Sequence, residues 1–209
     1  MRSEILGILR KRIINAHYKP GESLSELRLA KELQVSRTPV REALIRLSAE
    51  DSFVTMVPNV GARVSEINLK DFQHIIEVRL MIERGIAQLA ASNATEQDIA
   101  DLEALMADME RMTDDNFMEL LECDTKFHQI MVRATKNPLL DRYSSNVRDQ
   151  FTRIQNLMQI RPDRMQADMP KVIAALRAKD AEALEKLLIW HVEHFVAKVK
   201  DLFHIGMQA

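Results

Sequence analysis

The chain has 209 residues, of which 46% are hydrophobic and 29% charged, a composition that excludes both a disordered chain and a disulfide scaffold. Five glycines, six prolines and many helix-forming residues predict a mainly α fold. The one cysteine, Cys123, cannot form an internal disulfide. No secretory signal and no apolar run of about 18 residues is recognisable, so we expect a cytoplasmic protein without a membrane-spanning segment.

Charge divides the chain near residue 65. Residues 1–65 carry 11 Lys and Arg against 7 Asp and Glu, a net charge of +4, and residues 66–209 carry 18 against 24, a net charge of −6. We therefore expect two domains, residues 1–65 and residues 66–209. The basic first part favours binding to a polyanion, with a merely solvated surface as the alternative.

Residues 1–65 predict three helices and a hairpin. Apolar residues recur at helical spacing over 5–14. Ser25 is a plausible N-cap for a second helix ending near residue 35, and a third helix begins at Ser36 or Thr38. Two β-type runs, 53–57 and 62–64, flank a Pro-Asn-Val-Gly turn. This order predicts a winged helix-turn-helix, in which the third helix enters the major groove of DNA.

The polar residues of this region suit that role. Arg37, Thr38 and Arg41 lie at the start of the third helix, on the face opposite its apolar stripe. Arg28 on the second helix and Arg63 on the wing add two guanidinium groups. Guanidinium and hydroxyl groups bind base edges and phosphates. The alternative interpretation is that these arginines are only solvated.

The run Ser36-Arg37-Thr38-Pro39-Val40-Arg41-Glu42-Ala43-Leu44 resembles the DNA-binding domain of the GntR family of bacterial transcription regulators. Pro20-Gly21-Glu22 before it and Gly61-Ala62-Arg63-Val64 after it extend the resemblance. The resemblance implies contacts with double-stranded operator DNA from six residues: Arg28, Ser36, Arg37, Thr38, Arg41 and Gly61.

One departure from the family pattern follows the third helix. The family has Glu-Gly-Leu where this chain has Glu50-Asp51-Ser52. Aspartate tolerates the left-handed backbone conformation better than most residues. We therefore expect Asp51 to take the place of the glycine, with a modest loss of stability and no change of fold.

Residues 66–209 predict an all-helical antiparallel bundle, with helices at 69–91, 96–112, 114–135, 138–160, 163–178 and 180–203. Asp124 and His128 stand four residues apart and share one helix face, while His191 faces the bundle from the last helix. A carboxylate and two imidazoles are ligands of divalent metal ions. By spacing alone, such residues are more often satisfied core or surface groups than metal ligands.

A second resemblance covers this region. Residues 77–83, 124–128, 137–140 and 174–181, together with His191, resemble the FCD effector domain of the FadR subfamily. In many members of that family one aspartate and three histidines bind a metal ion, and a small carboxylate effector binds on or beside it. Asp124, His128 and His191 match three ligand positions, but Met169 stands where the remaining histidine is expected.

Because Met169 replaces an expected histidine, the sequence does not decide whether a metal ion is bound. A thioether is a weak ligand for zinc, nickel or manganese, so the divalent ion is weakly bound, completed by water or by the effector, or absent. The resemblance implies that Arg79 and His128 bind the anionic effector. An ion pair between Arg79 and Glu83, one turn further along the helix, is the alternative.

These features predict a transcription regulator, by family default a repressor. A homodimer would bind a palindromic operator and respond to a small organic acid. One alternative is a metal-dependent enzyme that uses the Asp/His cluster, although no known catalytic motif supplies a base or nucleophile. Another is a regulator without an effector.

Overall fold

The computed structural model describes residues 2–58, 60–112, 117–162 and 165–206. The elements within these ranges are α1 Arg2–Ile14, β1 Ser23–Leu24, α2 Glu26–Glu32, α3 Arg37–Ala49, β2 Val54–Val57, β3 Gly61–Val64, α4 Leu69–Asn93, α5 Glu96–Glu110, α6 Phe117–Ala134, α7 Pro138–Met158, α8 Met165–Ala178 and α9 Ala181–Gly206. The mainly helical fold predicted from the sequence is confirmed. The predicted helix starts at 114 and 163, and Asn59 in the hairpin turn, lie outside the described residues.

The chain divides into two compact units. The first comprises Met1–Phe72 and Asp149–Leu157, and the second comprises Gln73–Arg148 and Met158–Ala209. The first unit therefore contains the second half of α7 as well as the N-terminal elements. Within the described residues, no helix combines the length and apolar character needed to cross a bilayer.

The core of the first unit lies between α1, α2, α3 and the sheet. Apolar side chains one turn apart on α1 and α3 form its centre, namely Ile5, Leu9, Ile13, Val40, Leu44 and Leu47. The three strands pair in the order β1-β3-β2, both pairs antiparallel, with Val54 opposite Val64 and Ser23 opposite Arg63. This sheet fixes the hairpin β2-β3 beside the three helices and completes the winged helix-turn-helix.

The left-handed residue after α3 is Ser52, with φ of 57°, so the expectation that Asp51 takes this conformation is wrong. Asp51 is instead held by two contacts. Its carboxylate lies 3.3 Å from Arg10 Nη1, and its carbonyl accepts a 2.7 Å hydrogen bond from Gln150 Nε2. The left-handed position therefore falls at Ser52, one residue after the position expected from the family pattern.

The α7 segment of the first unit makes polar contacts to the backbone where α1 ends and just after β3 ends. Arg153 is 1% exposed, donates a hydrogen bond to the Ser65 carbonyl, and places its guanidinium 5.8 Å from the centre of the Phe53 ring. Burial lowers the pKa of Arg153 to about 10. Asn156 Nδ2 donates to the Ile14 carbonyl at 2.9 Å, where α1 ends.

The second unit is a helical bundle with an apolar core drawn from α4, α5, α6, α8 and α9. The helix α5 begins with a capping box, in which Thr95 and Asp98 satisfy each other's backbone N–H groups. Asp98 also accepts hydrogen bonds from Arg133 Nε at 2.8 Å and Lys136 Nζ at 2.5 Å. These contacts tie the start of α5 to the end of α6.

Candidate functional site

The N-terminal end of α3 presents cations to solvent. The side chains of Arg37 and Arg41 are 66% and 69% exposed, while Val40 between them is fully buried. Ser36 occupies the N-cap position with an extended backbone, and its side chain makes no cap hydrogen bond. Ser36 and Thr38 are both exposed. The helix start therefore offers two guanidinium groups, two hydroxyls and backbone N–H groups on one accessible surface.

Two glutamates of the first unit orient these arginines, and sequence reasoning missed both. Glu26 lies 3.2 Å from Arg37 Nη2 and 4.0 Å from Arg41 Nε. Glu22 lies 3.0 Å from Arg28 Nη2. Hydrogen bonds from the Lys19 backbone and from Arg28 lower the pKa of Glu22. Glu26 lies in the first turn of α2. In a helix-turn-helix this turn is close to the start of the next helix, and that proximity could have indicated the ion pairs with Arg37 and Arg41.

The wing carries the remaining predicted residues. Gly61 has φ of 106°, a conformation that disfavours any side chain, and the space around it is open. Arg63 is exposed and donates a 2.9 Å hydrogen bond from Nη1 to the Gly21 carbonyl. All seven predicted DNA-binding residues thus lie on exposed parts of the first unit, four of them within or next to α3.

The structure brings Asp124, His128 and His191 together. Asp124 Oδ1 lies 3.2 Å from His191 Nε2 and 3.8 Å from His128 Nε2, and one ligand atom of each residue lies within 4.8 Å of the others. Asp124 and His128 are both 3% exposed. Burial, and then the charges of Arg79 and other neighbours, lower the pKa of His128 well below its usual range. His128 is therefore neutral near pH 7 and retains a lone pair.

This donor set fits a divalent metal ion. One carboxylate and two imidazoles suit zinc, nickel or manganese, and they leave coordination positions for water or a ligand. Met169 is 1% exposed and belongs to the apolar core of the second unit. Phe127 packs edge-on against the ring of His128, with 5.0 Å between ring centres.

Arg79 lies against this cluster and is also paired with Glu83. Arg79 Nε donates to Glu83 Oε1 at 2.5 Å, and Arg79 Nη2 lies 3.1 Å from Nδ1 and 2.9 Å from Nε2 of His128. The cavity bounded by these residues, Ser144 and Arg148 measures about 10 Å³, which is the room of about one water molecule. An organic acid can reach Arg79 only after these side chains move.

A much larger groove of about 1070 Å³ lies elsewhere in the second unit. Its walls come from α5, α6, α7 and the loop between α6 and α7, and they include Lys126, Arg133 and Lys136. The groove is lined by neither Asp124 nor His191, so it is separate from the cluster of metal-ligand candidates.

Comparison with known proteins identifies the class. Residues 1–64 match the gntR family of bacterial regulatory proteins, and residues 74–194 match the FCD domain. The chain therefore belongs to the GntR family of transcription regulators with an FCD domain. The family predicted from the Ser-Arg-Thr-Pro run and from the helical body is confirmed.

Relatives extend over nearly the whole chain. The regulator YdhC of Bacillus subtilis is 28% identical over 207 residues, covering 96% of this chain and 91% of the relative. The transcriptional repressor RspR of Escherichia coli is 28% identical over 209 residues, covering 97% and 90%. The solved structure of E. coli McbR/YncC has a TM-score of 0.83 at 24% identity, covering 97% of this chain and 98% of that chain, and supports the fold.

Proposed function

We propose that this regulator is a repressor that binds a palindromic operator as a homodimer. Residues 1–65 serve as the DNA-binding domain and residues 66–209 as the effector domain. The DNA contacts come from the exposed surface formed by Arg28, Ser36, Arg37, Thr38, Arg41, Gly61 and Arg63. The observation that carries the proposal is the pair of exposed guanidiniums at the start of α3, on a chain of the GntR family. A two-fold dimer places two such helices in successive major grooves.

The regulatory ligand in this proposal is a small carboxylate. Arg79 supplies a buried guanidinium, a group suited to bidentate binding of a carboxylate, and His128 lies beside it. Asp124, His128 and His191 hold a divalent metal ion, which supplies a Lewis-acidic partner for the ligand. The ligand acts by favouring one of two dimer geometries, because an effector shifts only an equilibrium in which it prefers one state.

We assign the Asp/His cluster a role in binding and no role in catalysis. The cavity beside His128 holds about one water, and the three ligand candidates already contact one another or their neighbours. The chain matches models of transcription regulators, and the exposed arginines at the start of α3 suit binding to DNA.

Selection of binding sites from random duplex DNA, followed by fluorescence anisotropy, tests the function. We expect a palindromic consensus and a Kd that rises steeply with salt. Titration of a panel of small organic acids into the protein–DNA complex, with and without zinc, then tests the effector. Absence of any sequence preference, at salt concentrations where the protein is folded, would contradict the proposal.

A further inference from the structure

A buried ion pair on α4 touches a candidate metal ligand on α6. Arg79 and Glu83 are 3% and 1% exposed, and their contact of 2.5 Å spans one helical turn. The guanidinium reaches beyond Glu83 to both ring nitrogens of His128. The pair is therefore a charged element built directly against the cluster of Asp124, His128 and His191.

The distances fix how close a bound metal would lie to the guanidinium. Neither nitrogen of His128 is more than 3.1 Å from Arg79 Nη2. A metal–imidazole bond is about 2.1 Å, so an ion on either nitrogen lies within about 5 Å of Nη2, whatever its direction. Arginine keeps its charge at all ordinary pH values. Metal binding thus places two cations side by side in a site with little water to screen them.

Glu83 opposes this repulsion. Its Oε1 contacts Arg79 Nε and lies 3.7 Å from His128 Nδ1, so the carboxylate faces the guanidinium and the imidazole together. Its Oε2 is buried and has no hydrogen-bond partner among the described residues. The guanidinium of Arg148, which lines the same cavity, adds positive charge. Glu83 is the acid paired with Arg79 at the edge of the cluster.

We propose that the Arg79–Glu83 pair sets the metal affinity of the Asp124–His128–His191 cluster. Arg79 weakens the binding of a divalent cation to His128, and Glu83 restores part of that affinity by neutralising Arg79. The inference rests on the metal site of the proposed function, and it adds two residues that determine how tightly the site holds its ion. It also predicts opposite effects for the two partners of one ion pair.

Zinc titration against a chromophoric chelator tests this in the full-length protein. We expect Arg79→Gln to raise zinc affinity about tenfold or more and Glu83→Gln to lower it by a similar factor. The double variant should lie near the wild type. Zinc binding that is lost in His128→Ala is assigned to this cluster. Arg84→Gln and Glu77→Gln make the same charge changes at exposed positions of α4, and they should leave zinc affinity within about twofold of the wild type.

Folding and function are read separately. Circular dichroism and thermal melts report whether each variant folds. If Arg79→Gln does not fold, the double variant compared with Glu83→Gln still isolates the charge of Arg79, and it should bind zinc about tenfold more tightly. Equal affinities in that comparison, or no zinc binding in any variant, overturn the inference. Operator binding by the wild type tests the proposed function, so a regulator that binds DNA but shows no Arg79 effect refutes only the inference.

Discussion

Arg37 and Arg41 share a single glutamate, Glu26, yet both are about two-thirds exposed. Exposed ion pairs contribute little to stability, typically less than about 1 kcal/mol. Glu26 therefore orients the two guanidiniums without binding them firmly, and each remains available to a stronger anion. DNA phosphates and guanine edges are such partners.

Replacing Arg37 or Arg41 with alanine should weaken specific operator binding by roughly 1–3 kcal/mol each, with folding unchanged. The loss comes from missing DNA contacts, because neither side chain packs in the core. Anisotropy titrations on the selected operator measure it. Arg46→Ala is the matched control, since Arg46 is exposed at the opposite end of α3 and pairs with Glu50. Wild-type affinity in both variants would refute the docking of α3 in the groove.

The sequence predicts that Met169 stands where the family's remaining metal-binding histidine is expected. Met169→His should raise affinity for zinc or nickel markedly, because an imidazole is a far better ligand for these ions than a thioether. His128→Ala should abolish any metal that the wild type holds. Elemental analysis of the purified proteins measures both. If the Met169→His protein still contains no metal after incubation with zinc, Met169 does not occupy a ligand position.

At the scale of elements, the start of α5 shows how one buried carboxylate joins two helices. Burial alone would raise the pKa of Asp98, but hydrogen bonds from Lys136, Thr95 and Arg133 outweigh it and hold the pKa well below its usual range. A lowered pKa means that the folded state favours the ionised form. The stabilisation is fully present above the unfolded pKa, near pH 4, and is lost as the pH falls below it.

Asp98→Asn should lower the free energy of unfolding by about 1–2 kcal/mol at pH 7. The figure is modest because Arg133 and Lys136 are about half exposed, so water screens them. Urea melts at pH 7 and pH 3 measure it, and the difference from the wild type should shrink at pH 3. Asp101→Asn, which removes a more exposed partner of Arg133, is the control and should cost less. An equal loss at both pH values would contradict the ionic account.

Helical periodicity predicted most elements because buried apolar faces repeat every three to four residues. The strand β1 was not predicted, since two residues carry no alternation. The left-handed position after α3 is at Ser52 and not at Asp51 as expected. A family pattern shows which residue replaces the glycine, but it does not show which residue takes the left-handed conformation in this chain. The contact between Arg79 and His128 joins residues 49 apart and arises from helix packing. Spacing predicted the Asp124–His128 pair, whereas no local pattern contains the guanidinium beside it.

For the whole molecule, dimerisation should govern DNA affinity. A palindromic operator should bind the full-length protein far more tightly than a duplex carrying one half-site, because two recognition helices act together. Analytical ultracentrifugation should show a dimer at micromolar concentration. Anisotropy with both duplexes measures the difference. Equal affinity for the half-site and the palindrome would indicate that one winged helix suffices.

The α7 segment of the first unit has a consequence for the engineering of biosensors. Chimeric regulators are commonly imagined as a DNA-reading head transplanted by a single cut, here after residue 65. Such a graft would leave behind the side chains on which Arg10, Asp51 and Ser65 depend. We expect a transplanted head to melt at a lower temperature unless the recipient helix receives the same four residues, which are Asp149, Gln150, Arg153 and Asn156. Calorimetry of matched chimeras, with and without those four residues, measures the difference in melting temperature. The part of this protein that can be transplanted is then encoded by two separate segments of its gene.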